Sequence, residues 1–117
     1  MVIAGPLEAE LWVEADTPSA DWVVRVFAVP AKGLPLPLAQ GVRRARGTHH
    51  VRVDLGSTAA RIRAGDRLRV EIAGSNFPLY DRNLHTGEGP FSARMLVARQ
   101  KVGHGPAAAS RIILPVK

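Results

Sequence analysis

Cysteine is absent from the 117 residues. That excludes a disulfide framework, a thiolate zinc site, an iron–sulfur cluster and a cysteine nucleophile. It is compatible with a cytoplasmic compartment, which is the expected one, and leaves secretion open. Aromatics are scarce, with three Phe, two Trp and one Tyr. No apolar run is long enough for a transmembrane helix, so no membrane partner is expected. The opening MVIAGPLEAE has neither a basic stretch nor a long apolar one, and no signal peptide is expected in it. Basic residues are missing from the first 21 positions, which carry Glu8, Glu10, Glu14, Asp16 and Asp21. All 16 Lys+Arg lie downstream, giving a net charge of +6. A basic excess raises the question of nucleic acid. Single-strand binders interleave basic residues with stacking aromatics, and no such platform exists here. No nucleic-acid partner is expected.

Hydrophobic residues make up 46% of the chain, too many for a disordered class. The 11 Gly and 9 Pro are spread along it and interrupt every apolar segment after a few residues. Helices do not survive that punctuation, whereas short strands do. LEAELWVEA (7–15) alternates, with Leu7, Ala9, Leu11 and Val13 on one side and Glu8, Glu10, Trp12 and Glu14 on the other. WVVRVFAV (22–29) is β-branched and aromatic, with Trp22 and Phe27 on opposite faces. After a Pro-rich loop (30–37) come a weak strand (38–46) and HHVRVDL (49–55), in which Val51, Val53 and Leu55 share a face. GSTAARIRAGD (56–66) reads as loop with a tight turn at Ala64-Gly65-Asp66. RLRVEIA (67–73) alternates most cleanly, with Leu68, Val70 and Ile72 inward. ARMLVARQKV (93–102) is ambiguous and leans to strand, and RIILPV (111–116) closes the chain. About seven strands at roughly ten-residue spacing argue an all-β sandwich or barrel. Cross-strand charge pairing would set Glu8 and Glu10 against an Arg-rich strand such as 67–71.

The common catalytic patterns fail. A nucleophile elbow needs G-x-S-x-G; Ser75 comes nearest, but Ala73 and Phe77 occupy the glycine positions. His49 and His50 are adjacent, so on a strand they face opposite sides and cannot chelate one ion. Gly103-His104-Gly105-Pro106-Ala107-Ala108 fits a loose dinucleotide pattern but cannot open a helix of a βαβ unit so near the chain's last residue. No catalytic residue, cofactor or metal site is expected.

One segment stands out. Residues 74–87, GSNFPLYDRNLHTG, leave the best strand as a long irregular stretch rich in hydrogen-bonding side chains. Asp81 and Arg82 are placed to brace it through a charge-assisted bond, and Phe77 before Pro78 is held extended. Ser75, Asn76, Phe77, Pro78, Tyr80, Asp81, Arg82 and Asn83 are the expected structural and interdomain core of this loop. It reads both as a self-packed closure of one end of the sandwich and as an interface.

The same residues carry a resemblance. Gly65-Asp66-Arg67-Leu68-Arg69, Ser75-Asn76-Phe77-Pro78, Asp81-Arg82-Asn83 and Thr86-Gly87 look like the hallmark of the X-Pro dipeptidyl-peptidase C-terminal domain. That domain occurs in the cocaine esterase, glutaryl-7-aminocephalosporanic acid acylase and α-amino acid ester hydrolase family. Residues 7–29, Gly41 to Arg46 and the closing segments 97–116 are similar too. Segment 30–41 departs, being shorter than the family's connection, and so does the Ala-rich tail before Ser110. The resemblance implies a jelly-roll β-sandwich of the galactose-binding-like type, here one domain over 1–117. It implies a non-catalytic C-terminal domain of a serine hydrolase of acyl ester, amide or X-Pro dipeptidyl-peptidase type. The partner so implied is an α/β-hydrolase catalytic domain, in cis or as a separate chain, with self-association when isolated. The other reading is a stand-alone carbohydrate- or partner-binding module with Trp12 as its platform, against which stands an edge tryptophan covered by a partner domain.

Overall fold

The computed structural model describes residues 1–15, 20–45, 50–74, 100–103 and 109–117. They form seven strands: β1 Val2–Ala15, β2 Ala20–Val29, β3 Leu36–Ala45, β4 His50–Arg61, β5 Arg67–Ala73, β6 Gln100–Val102 and β7 Arg111–Ile113. All pairings are antiparallel, in two sheets. In the first, β1 is central, with β4 along one edge and β7 and β6 along the other. In the second, β2 lies between β3 and β5. Among the described residues no helix is long and apolar enough to cross a membrane.

The core follows from period-2 patterning. Ile3, Leu7, Ala9, Leu11 and Val13 of β1 and Val51, Val53 and Leu55 of β4 face Trp22, Val24 and Val26 of β2. Each Val, Leu or Ile among them contributes roughly 1.5–3 kcal/mol through removal from water. β3 packs tightly on β4 at Gly41. A Cβ on Gly41 would lie 2.1 Å from the backbone oxygen of Asp54, so only glycine permits the approach.

The strands expected at 7–15, 22–29 and 67–73 are present, as is the one expected at 49–55 from His50 onward, residue 49 lying outside the described residues; three run on beyond those bounds. β1 begins at Val2, because Val2–Pro6 pair with the 57–61 half of β4. That half was expected to be loop. The ladder shifts register between Pro6 and Glu8, and Gly56 sits there at φ 73° on the strand that carries one extra residue. A bulge absorbs the residue without ending the strand. Asp54 Oδ1 steadies it by accepting the Gly56 N–H at 2.8 Å. β3 likewise starts earlier than expected, at Leu36. Pro37 is tolerated because β3 pairs only β2 among the described residues and its register shifts beside Phe27. The turn at Ala64–Gly65 is as expected, with Asp66 Oδ2 accepting the Arg63 N–H at 2.9 Å. Of the strand expected at 93–102, residues 100–102 are strand and 93–99 lie outside the described residues.

The inward set of β5 needs correction. Leu68, Val70 and Ile72 stand opposite Ala28, Val26 and Val24, on the core side of the sheet. Leu68 packs against the core, but Val70 and Ile72 remain 41% and 36% exposed. Alternation assigns a face; whether another layer covers that face depends on tertiary placement.

Candidate functional site

Ser75, Asn76, Phe77, Pro78, Tyr80, Asp81, Arg82 and Asn83 lie outside the described residues. The described strands bring together two other clusters, one on the outer face of each sheet.

The first is built by β1, β4 and β7. Register sets Glu10 between Arg52 and Arg111, and Trp12 opposite His50. Arg111 Nε donates to Glu10 Oε2 at 2.7 Å, and Arg52 Nη2 stands 3.4 Å from Oε1. Arg52 Nε lies 3.6 Å from Glu8 Oε1, an ion pair without a hydrogen bond. The Arg111 hydrogen bond holds the Glu10 carboxyl below the usual carboxylate range. The charges of Arg111, Arg52 and His50 act in the same direction, against an opposing effect of burial. The expectation that Glu8 and Glu10 face residues 67–71 is therefore wrong. β5 belongs to the other sheet, and the arginines opposite β1 come from β4 and the end of the chain. Trp12 is 42% exposed, with its ring 5.1 Å from that of His50 and tilted 49° to it. It sits on a central strand, not an edge. Its backbone is fixed from the far end of the sequence: its N–H donates to Ser110 Oγ at 3.0 Å, and its carbonyl accepts the Gly103 N–H at 2.7 Å.

The second cluster lies on β2, β3 and β5. Arg25 Nη2 donates to Glu71 Oε1 at 2.9 Å, and Arg69 bonds the other oxygen of the same carboxylate. Both guanidiniums lie over the Phe27 ring, at 5.8 and 5.6 Å from its centre. Arg44 grips the buried Asp21 through two bonds of 2.8 and 3.0 Å. An open depression of about 430 Å³ adjoins Phe27, lined by Arg25, Phe27, Pro37, Leu38, Ala39 and Gln40.

Both clusters can stack, pair charges and donate hydrogen bonds. Among the described residues, Ser110 Oγ accepts the Trp12 N–H and the His50 ring stands beside that of Trp12, and no hydroxyl is placed on an imidazole in either cluster. Sequence reasoning missed Arg52 and His50, although the inward set Val51, Val53 and Leu55 already places them outward. It missed Arg111 because nothing local shows that residue 111 lies beside residue 10.

Comparison with known proteins gives a consistent result. Residues 1–113 match the family model described as the X-Pro dipeptidyl-peptidase C-terminal non-catalytic domain. Cocaine esterase of Rhodococcus sp. (strain MB1 Bresler) is 27% identical over 132 aligned positions, covering 97% of this chain and 23% of that protein. A solved structure of α-amino acid ester hydrolase labelled with selenomethionine superposes with a TM-score of 0.80 at 22% identity. The match covers 99% of this chain and 24% of that one. The chain thus spans less than a quarter of the length of these relatives.

Proposed function

Because this chain belongs to the family of X-Pro dipeptidyl-peptidase C-terminal non-catalytic domains, we propose that it is the accessory sandwich of a serine hydrolase acting on acyl esters or amides, and that it packs against the α/β-hydrolase catalytic domain. The partner domain is supplied in cis or as a separate chain. The fold is then a jelly roll of the galactose-binding-like type. The role is mechanical: two sheets locked by a shared core form a rigid block that supports the substrate pocket. The proposed contact is made by Ser75, Asn76, Phe77, Pro78, Tyr80, Asp81, Arg82 and Asn83. The observation that carries this reading is the pairing of coverages. The match takes in nearly all of this chain and under a quarter of each relative.

The test is immunoprecipitation from source cells with antibody raised against this chain. The precipitate is treated with a fluorophosphonate probe and assayed on p-nitrophenyl acyl esters. We expect a probe-labelled polypeptide and esterase activity in the precipitate, and no activity in the purified 117-residue chain. A precipitate holding only a 12.6 kDa species, unlabelled and inactive, would overturn the reading. The exposed Trp12 ring beside His50 favours one alternative, a free carbohydrate-binding module. In that case the purified chain's tryptophan fluorescence would shift on titration with oligosaccharide.

A further inference from the structure

One end of the sandwich differs in charge from its faces. There β2 runs into β3 through residues 30–35, and β4 runs into β5 through residues 62–66. The Ala31 N–H donates to Asp66 Oδ1 at 3.4 Å, which ties the two connections together. Both connections lie wholly within the described residues. Residues 16–19, 46–49 and 75–99 join strands at the opposite end, and 104–108 are joined beside Trp12.

Lys32, Arg61, Arg63 and Arg67 are all exposed at this end. On the sheet faces, by contrast, Arg25 and Arg69 share Glu71, Arg44 holds Asp21, and Arg52 and Arg111 hold Glu10. Among the described residues no carboxylate forms an ion pair with any of the four cations at the end. Asp66 is the one acid of the two connections, and its oxygens accept the Ala31 and Arg63 backbone N–H groups. Apolar side chains project from the same end: Leu34 is 83% exposed and Leu36 60%. Pro30, Pro35 and Pro37 restrict φ around them, and Gly33 turns the chain at φ 116°. A restricted backbone loses little freedom when the leucines are covered.

A partner for this end must take unpaired cations and projecting leucines together. Nucleic acid takes the cations alone, and residues 30–36 and 61–67 hold no aromatic on which a base could stack. An acidic protein must present a pocket shaped to each leucine. A bilayer interface takes both, because anionic headgroups attract the cations and the fluid acyl boundary conforms to any apolar side chain. We propose that this end of the sandwich adsorbs on bilayers containing anionic phospholipid, with Leu34 and Leu36 in the acyl boundary and Lys32, Arg61, Arg63 and Arg67 on the headgroups. Adsorption of this kind needs no spanning segment. It is independent of any catalytic domain.

The test is co-sedimentation of the purified chain with phosphatidylcholine vesicles, with and without about 30% phosphatidylglycerol, at about 0.15 M salt. We expect binding to the anionic vesicles, little to the neutral ones, and release at about 1 M salt. Arg63→Glu combined with Arg67→Glu should weaken binding by at least roughly tenfold. Leu34→Ser combined with Leu36→Ser should weaken it too, although the charge is unchanged. Arg43→Glu, exposed near the far end of β3 and well beyond a Debye length away, should stay within about twofold of wild type. Circular dichroism checks that each variant is folded. Because the chain lacks cysteine, Leu34→Cys also carries a single environment-sensitive fluorophore. Its emission should shift to the blue on anionic vesicles, and that of the same dye on Arg43→Cys should not. Equal binding with and without phosphatidylglycerol, binding unaltered by either double substitution, or equal shifts at the two dye positions each overturns the proposal. So does a chain that ignores vesicles, and if it then binds poly-glutamate the end is a dock for an acidic polypeptide instead.

Discussion

Two residues show how single positions carry this structure. Gly41 is one. β3 passes so close to β4 that a methyl group would penetrate the Asp54 carbonyl, and the obstacle is backbone, which cannot rotate away. Gly41→Ala is expected to cost about 3 kcal/mol, the upper end of ordinary overpacking, read as a lower urea midpoint with an unchanged slope. A loss below about 1 kcal/mol would mean that the strands separate easily there. Glu10 is the other. Its carboxyl is held below its ordinary value of 4.5, chiefly by the Arg111 hydrogen bond. A depressed folded-state pKa adds stability that is complete above the unfolded value and is lost as pH falls through the folded one. Wild-type stability should therefore decline below pH 4.5. Glu10→Gln should be less stable at neutral pH and should show a shallower acid decline. Parallel pH profiles for the two proteins would remove Glu10 from that account.

At the level of strands, alternation was readable and its consequences were not. Leu7 to Val13, Val51 to Leu55 and Leu68 to Ile72 reveal their faces from residue order alone, and the first two sets form most of the core. The sequence is silent on neighbours: Glu10 has its arginines on β4 and β7, not on β5. It also misleads wherever a bulge absorbs a breaker, as at Gly56 and at Pro37. The eight residues expected to form the core of the 74–87 segment lie outside the described residues, while the clusters at Trp12 and Phe27 are brought together by strand pairing. β7 illustrates the dependence. It is three residues long and is held on β1 by its ladder, by Arg111 on Glu10 and by Ser110 Oγ on the Trp12 N–H. Arg111→Ala should speed amide hydrogen exchange at Ile112 and Ile113, with little change across β2 and β5. Faster exchange throughout both sheets would instead show that β7 opens only when the whole molecule does.

Across the whole molecule, the first strand cannot be completed without the last residues. β1 takes its partners from 50–61 on one edge, and from 100–102, 111–113 and Val116 on the other. Ile112 and Leu114 also pack on the core built by β1. A central strand left bare along most of one edge, with only Val13–Ala15 still paired to β6, exposes unpaired backbone groups and the apolar side chains beneath, and stability is the small remainder of large opposing terms. A chain ending at residue 103 should therefore lose its cooperative transition and bind a hydrophobic dye. A synthetic peptide of residues 109–117 supplied in trans should recover part of the transition, because it returns both the ladder to Glu8–Glu10 and the Ile112 contact. Peptide with Ile112 and Leu114 replaced by Ser should recover less, since it rebuilds the ladder without the burial. If the shortened chain instead unfolds at the full-length urea midpoint, the closing segment is an appendage, and the sandwich is held by β1, β2, β4 and their shared core.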